Sequence, residues 1–218
     1  MQKQDIETIL ASQRKFFATG KTLPVPWRLE QLNKLRTSML RHEEDLYGAL
    51  KKDLGKSRME SYMCEIGLTL SELTWMEKHI RRLTREKRVP TPLAQFAARS
   101  FQSPTPYGTV LIMSPWNYPV LLTLEPLIDA LAAGNTVIVK PSAYAPATSA
   151  VMEMIIRETY PPEYVCMITG GRQENQALLT QRFDKIFFTG GKTVGREVLR
   201  HAAEYLTPVT LELGGKSP

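Results

Sequence analysis

The chain has 218 residues, of which 43% are hydrophobic and 23% charged, and its formal net charge is +6. These values are ordinary for a folded globular protein, and they exclude a disordered chain, a collagen-like repeat and a disulfide-dense scaffold. Only two cysteines are present, Cys64 and Cys166, and they lack metal-ligand spacing. We therefore expect a reducing, cytoplasmic location and no bound metal.

The positive charge is concentrated in the first half. Residues 1–107 hold 19 Lys and Arg against 12 Asp and Glu, whereas residues 108–218 hold 9 against 10. Much of the excess lies in the segment 78–88. Such a segment could bind nucleic acid or a membrane surface, but no nucleic-acid-reading motif accompanies it. We interpret it as the solvated C-terminal end of a helix, whose dipole favours cations, and expect no nucleic-acid partner.

Apolar residues at helical spacing predict a helical region over residues 1–107. The predicted helical segments cover 6–17, 29–50 and 62–80, and they stop at Gly20, Gly55 and the Pro90–Pro92 pair. The uncharged stretch 100–124 is long enough to cross a bilayer, but four prolines interrupt it, so we predict a strand and loop there. No constellation of catalytic side chains appears before residue 100.

Short β-branched runs alternate with helical stretches in the second half. The runs are 109–113, 136–139, 165–168, 185–188 and 209–211. This alternation is typical of βαβ units that build a parallel sheet buried on both faces. Ligands of such sheets bind beyond the carboxyl ends of the strands, so the segments that follow the strands are the candidate site.

Each of these segments is polar or rich in glycine, which suits the binding of an anion by backbone amides. Two of them imitate the end of a phosphate-binding P-loop, at Gly191-Lys192-Thr193 and Gly215-Lys216-Ser217. The first glycine of that motif would fall at Ile186 or Thr210, so neither matches. Gly190, Gly191 and Gly195 also lack the G-x-G-x-x-G spacing, which excludes the standard dinucleotide loop.

Two side chains in these segments carry possible chemistry. Asn117 lies between prolines, so its amide could be a preorganised donor to an oxyanion, or it could simply bond its own backbone in a turn. Glu212 precedes a Gly-Gly pair at a strand end. It could be a general base, or an exposed loop carboxylate without a catalytic role.

The motifs together resemble the aldehyde dehydrogenase family. The resemblance is carried, in order, by Pro115-Trp116-Asn117-Tyr118-Pro119, Lys140-Pro141-Ser142, Phe188-Thr189-Gly190 with Gly195, and 211–218. The segment 206–210 and the short N-terminal arm are most similar to class 3. The resemblance implies an α/β fold in which the helical N-terminal region precedes an open, mostly parallel, Rossmann-like cofactor-binding sheet over 108–218.

The resemblance also implies NAD(P)-dependent oxidation of a small-molecule aldehyde to a carboxylic acid. A cysteine thiolate attacks the aldehyde, hydride passes to the nicotinamide, and water hydrolyses the thioester. Asn117 matches the family's oxyanion donor, and Glu212 matches the base that activates water. The matched cofactor-binding residues are Trp116, Lys140, Thr189, Gly190, Gly195, Leu213 and Gly214.

The sequence departs from the family pattern at two cofactor positions. Ala143 stands where a glutamate often bonds the ribose 2′-hydroxyl and repels a 2′-phosphate, so we expect NADP to be accepted as well as NAD. Gly191 and Lys192 stand where Ser-Thr is common. That exchange removes a hydroxyl and adds a cation near the pyrophosphate.

The family's nucleophilic cysteine has no match in these 218 residues, because it follows the position of Glu212 by a few dozen residues. We therefore expect the chain alone to be inactive and to precede a catalytic domain. The alternatives are a non-catalytic dinucleotide-binding fragment, and an acyl-phosphate or CoA-acylating semialdehyde dehydrogenase, which does without the base. The family usually forms dimers or tetramers, here expected through 100–106, and some class 3 relatives carry a C-terminal membrane anchor.

Overall fold

The structure, a computed structural model, describes residues 3–215. Lys216, Ser217 and Pro218, which belong to the last predicted motif, lie outside the described residues. The first half is helical, and it ends in a small antiparallel sheet. Its elements are α1 (Lys3–Ala18), α2 (Val25–Arg41), α3 (Glu43–Leu54), α4 (Arg58–Ser61), a π-helical turn (Tyr62–Ile66), α5 (Gly67–Leu83), β1 (Lys87–Val89), a 3-10 turn (Leu93–Gln95) and β2 (Ser100–Gln102).

The second half alternates strands with helices, as the sequence predicts. Its elements are β3 (Thr109–Met113), α6 (Leu121–Ala133), β4 (Thr136–Lys140), α7 (Pro146–Thr159), β5 (Val165–Met167), α8 (Arg172–Leu179), β6 (Lys185–Gly190), α9 (Lys192–Glu204) and β7 (Val209–Leu213). The strands form one sheet in which all neighbours are parallel. The predicted fold class is therefore confirmed.

The strand order β5-β4-β3-β6-β7 indicates where in the sheet the candidate site lies. The chain starts at the central strand β3, runs outward through β4 to β5, and then returns to β6 on the other side of β3. At this reversal the connections leave the sheet in opposite directions, and a crevice opens beyond the carboxyl ends of β3 and β6. The segments that carry Asn117 and Thr189–Gly190 meet at this crevice.

Helices cover both faces of the sheet, which explains the nearly continuous apolar runs of the strands. One hydrophobic cluster unites α2, α3 and α5 with β3, β4, α6 and α7, and the other contains α1 residues together with α8 and α9. Polar contacts add to this packing, since Gln13 donates to the carbonyl of Val137 at 2.9 Å and Asp53 accepts from the amide of Thr148 at 2.7 Å. The helical region thus packs directly on the sheet, and a domain boundary at 107/108 stays a prediction.

The structure corrects several details of the predicted elements. The segment 29–50 is divided between α2 and α3 at His42, and Tyr62 is exposed although the apolar stripe includes it. The basic segment begins at the end of α5 as expected, but Lys87 and Arg88 belong to β1. Within residues 3–215, no helix combines the length and the apolar character needed to cross a membrane.

Candidate active site and cofactor site

The loop after β3 carries the first candidate side chain, Asn117. Two hydrogen bonds of Ser114 fix the start of this loop. The Ser114 amide donates to the carbonyl of Lys140 at 3.2 Å, and the Ser114 hydroxyl is hydrogen-bonded to that of Thr123 at 2.6 Å. Asn117 itself is exposed. Among the described residues, no hydrogen bond ties its carboxamide to the local backbone, and its role as an oxyanion donor stays a prediction.

The second candidate, Glu212, lies within the sheet rather than after it. Strands β6 and β7 each extend two residues beyond the predicted ends, and their register places Thr189 beside Glu212 and Gly190 beside Leu213. Glu212 is exposed at the rim of the sheet. The strand register therefore fixes the backbone position of Glu212 beside Thr189.

The two candidates line the same cavity, which has a volume of about 800 Å³. Most of the predicted site residues share this cavity: Trp116, Asn117, Thr189, Gly190, Gly191, Glu212, Leu213 and Gly214. A site that binds a ligand needs a concave surface with a few convergent polar groups. Asn117 and Glu212 are among the polar residues that line this cavity.

One wall of this cavity is acidic, which the sequence analysis missed. Glu125 and Asp129 on α6 line it, and Glu72 on α5 faces them. Asp129 is an exposed residue. Burial of its carboxyl by the surrounding protein, together with the charges of Glu72 and Glu125, nevertheless raises the pKa of Asp129 to about 6. Burial and the charge of Glu72 also raise the pKa of Glu125. Carboxyl groups therefore cluster on the α6 side of this cavity.

Ala143 lines a second cavity, of about 310 Å³, beyond the ends of β4 and β5. Its walls include Ser142, Glu153 and Thr169. Lys140 is 3% exposed, and its ammonium donates to the carbonyls of Pro141 and Gly170, both at 2.7 Å. Burial lowers the pKa of Lys140 to about 8. Lys140 itself lines neither of the two cavities, so a bond from its ammonium to a ligand stays a prediction.

The predicted glycines fall into two groups. A Cβ atom at Gly191 or Gly214 would meet nothing within 4 Å, so the fold itself does not require glycine there. A Cβ atom at Gly190 would lie 2.7 Å from the ring of Phe188, and one at Gly195 would lie 3.0 Å from Leu213. Gly195 is therefore explained by the packing of α9 against β7, whereas Gly191 and Gly214 leave space for a ligand.

Neither cysteine lines the cavity that holds Asn117 and Glu212. Cys64 lies in the π-helical turn, and Cys166 lies in β5 at the far edge of the sheet. Burial, together with the nearby charge of Glu153, raises the pKa of the Cys166 thiol to about 11, so it is not a thiolate at neutral pH. This position agrees with the expectation that neither cysteine is the nucleophile.

Two residues near the Asn117 loop were also missed by the sequence analysis. Lys56 and Glu65 form a buried ion pair whose Nζ and Oε1 atoms are 2.6 Å apart. The available signal was Glu65, a carboxylate on the face of the third helical segment that also carries Ile66 and Leu73. Its partner could not be predicted, because the pairing depends on how α3 and the π-helical turn meet.

The fold and the site define the chain as an open, parallel α/β unit with a helical region packed on its sheet and a cavity beyond the strand ends. The aldehyde dehydrogenase family model matches residues 1–218. The chain therefore belongs to the aldehyde dehydrogenase family, as the motifs indicate.

Characterised relatives agree with this assignment. The chain is 45% identical over 213 residues to the 4,4'-diaponeurosporen-aldehyde dehydrogenase of Staphylococcus aureus, covering 98% of this chain and 46% of that protein. It is 41% identical over 205 residues to human aldehyde dehydrogenase family 3 member B1, covering 94% and 44%. The chain thus spans about half the length of the curated relatives that it matches.

Solved structures show the same fold. The substrate-bound state of Staphylococcus aureus AldH matches with a TM-score of 0.95 and 45% identity, covering 98% of this chain and 46% of that one. The Mycobacterium tuberculosis aldehyde dehydrogenase complexed with NAD⁺ matches with a TM-score of 0.86 and 27% identity, covering 99% and 44%. The class 3 resemblance and the NAD-type cofactor of the family are therefore supported by separate comparisons.

Proposed function

We propose that the full-length protein oxidises an aldehyde to a carboxylic acid with NAD(P), through a cysteine thiohemiacetal. The observation that carries this proposal is that Asn117 and Glu212 line one cavity together with the open glycine positions Gly191 and Gly214. Open space at those glycines would let a nicotinamide ring and its pyrophosphate approach the backbone closely.

Each side chain has a separate task in this proposal. The Asn117 amide donates to the oxygen that becomes negative when a thiolate adds to the aldehyde. Bound NAD(P) supplies the acceptor for the hydride that leaves the aldehyde carbon. Glu212 then takes a proton from the water that hydrolyses the thioester. A hydrolytic base at this position favours oxidation to the acid over acyl-phosphate or CoA-acylating chemistry.

The test is to supply the full-length protein with NAD and a panel of aldehydes, and to measure NADH and acid formation. The panel contains short aliphatic, aromatic and long polyene aldehydes, because the Staphylococcus aureus relative is named for a carotenoid aldehyde. We expect one acid per NADH for at least one aldehyde. Reversible binding of NAD without any turnover would favour the alternative, a non-catalytic dinucleotide-binding protein.

The cofactor proposal extends to NADP, because Ala143 places no carboxylate beside Lys140. Replacing Ala143 with glutamate is expected to weaken NADP binding at least about tenfold while NAD binding changes little, since like charges in a partly buried site repel. Titration of each nucleotide by fluorescence quenching measures both affinities.

Ala143→Gln is the matched control, because glutamine has the same size and no charge. If both variants weaken NADP binding equally, bulk and not charge explains the effect. The proposal of dual cofactor use fails if the unchanged protein binds NADP a hundredfold more weakly than NAD, in which case Glu153 across the second cavity is the first carboxylate to examine.

We also propose a homodimer or tetramer in a reducing, cytoplasmic environment. The hairpin of β1 and β2 supports the assembly, because Leu93, Phe96 and Phe101 are 89%, 84% and 57% exposed. Leu93 and Phe96 lie in the segment that connects the two strands and Phe101 lies in β2, and exposed apolar side chains of this kind are typical of a surface that pairs with another chain. The two free cysteines support a reducing environment.

A further inference from the structure

A buried ion pair links the helical region to the loop that carries Asn117. Lys56 follows the end of α3, where Gly55 has the left-handed φ of 69°, and Glu65 lies in the π-helical turn. The Lys56 side chain is 8% exposed and that of Glu65 is 0% exposed. An ion pair this deeply buried rarely adds stability over apolar residues of similar volume, so its function lies elsewhere.

The Lys56–Glu65 pair holds both ends of the segment from Asn117 to Val120. The ammonium of Lys56 donates to the backbone carbonyl of Asn117 at 2.9 Å, and it lies 4.1 Å from the ring centroid of Tyr118. The second carboxylate oxygen of Glu65 accepts from the amide of Val120 at 2.7 Å. The same oxygen accepts a longer bond, 3.4 Å, from the amide of Leu121.

The Glu65 carboxylate thereby caps the N-terminus of α6. No side chain within α6 caps its first turn. The first amides of a helix lack partners within the helix, and a carboxylate there is also favoured by the helix dipole. Because only Tyr118 and Pro119 separate Asn117 from the N-cap residue Val120, the carboxylate that caps α6 also limits the movement of Asn117.

The π-helical turn aims Glu65 at this helix start. π-Helical turns are rare, and they are frequent at functional sites. A Cβ atom at Gly67 would lie 2.8 Å from the carbonyl oxygen of Tyr62, so the turn depends on the absence of a side chain at position 67. The π-helical turn thus gives Glu65 a direction that a regular α-helix would not give it.

We infer that Lys56 and Glu65 are positioning residues, which fix the Asn117 carboxamide where the oxyanion forms. This inference rests on the proposed function of Asn117 as the oxyanion donor. The bonds to the loop backbone, together with the contact of Lys56 with the Tyr118 ring, fix the backbone that carries the Asn117 side chain. A displacement of about 1 Å is enough to reduce a rate about a hundredfold.

The first test is Lys56→Met in the full-length enzyme. We expect the rate of aldehyde oxidation to fall about tenfold to a hundredfold while the dissociation constant of NAD stays within about twofold. Arg36→Met is the matched control. It also removes a cation from an interhelical ion pair, that of Arg36 with Glu77 at 2.9 Å, but it does not touch the loop, so its rate should be unchanged.

A double-mutant cycle with Asn117→Ala separates positioning from a general structural effect. If Lys56 acts through Asn117, the double variant Lys56→Met/Asn117→Ala oxidises aldehyde no more slowly than the single variant Asn117→Ala. Losses that multiply, or a Lys56→Met rate within twofold of the unchanged enzyme, overturn the inference. If Lys56→Met does not fold, Lys56→Met/Glu65→Gln replaces it in the same cycle, because it leaves no buried charge without a partner.

The same measurements distinguish failure of the inference from failure of the proposed function. If the proposed function is wrong, the unchanged full-length protein oxidises no aldehyde. If only the inference is wrong, that protein is active, Asn117→Ala is slow, and the Lys56→Met loss multiplies with it.

Discussion

Replacing Glu212 with glutamine is expected to lower the steady-state rate of aldehyde oxidation by about 10²–10⁴-fold in the full-length protein. Glutamine keeps the shape of the side chain at the rim of β7, but it cannot accept a proton from water. Stopped-flow fluorescence should therefore show one NADH formed per active site, followed by slow turnover. The dissociation constant of NAD should stay within about twofold, since the amide occupies the same space.

Glu204→Gln is the matched control for this variant. Glu204 is an exposed carboxylate at the end of α9, outside both cavities, so its removal should leave the rate unchanged. A Glu212→Gln rate within threefold of the unchanged enzyme would show that Glu212 is an ordinary surface carboxylate, which was the alternative left open by the sequence.

Replacing Asn117 with alanine is expected to lower the rate by about 10²–10³-fold, the usual cost of removing one oxyanion donor. The loss arises before hydride transfer, so the rapid formation of NADH should disappear as well. This distinguishes Asn117 from Glu212, whose replacement slows only the later hydrolysis. Stopped-flow traces of the two variants, recorded side by side, measure the difference.

Asn117→Asp and Asn33→Ala are the companion variants. Aspartate has the shape of asparagine but offers no N–H donor when ionised, so it should be as slow as alanine. Asn33 is exposed on α2, and its replacement should have no effect. An Asn117→Asp enzyme that retained the full rate would contradict the donor role, because only the shape of the side chain would then matter.

The sequence predicts the sheet well because its strands are buried on both faces. Every residue of Thr109–Met113 and Thr136–Lys140 is buried, and such strands appear as short, continuous β-branched runs. The ends of β6 and β7 were less predictable. Thr189, Gly190 and Glu212 belong to a sheet only because a neighbouring strand pairs with them, and glycine and glutamate do not indicate a strand by themselves.

The helical region was predictable as helices but not in its divisions. The apolar pattern of α2 continues into α3 with almost no change, so the boundary at His42 is not visible in the spacing. The buried face of the third segment includes Glu65 and Thr69, which a search for apolar residues passes over. Polar residues at such positions are buried only because the tertiary structure supplies their partners.

The candidate site shows the same division between local and tertiary information. Asn117 and Glu212 were found because each stands in a motif close to a strand end. The acidic wall of Glu125 and Asp129, and the Lys56–Glu65 pair, depend on helices that approach from distant parts of the sequence. These are the residues for which the structure adds most to the account of the site.

The central claim is that the cofactor and the aldehyde meet beyond the ends of β3, β6 and β7. The most direct measurement is a crystal structure of the full-length protein with NAD bound. We predict that the nicotinamide ring lies in the cavity between Asn117 and Glu212, against the open positions Gly191 and Gly214, with the adenosine ribose near Ala143. A nicotinamide ring bound away from both Asn117 and Glu212 would contradict the account.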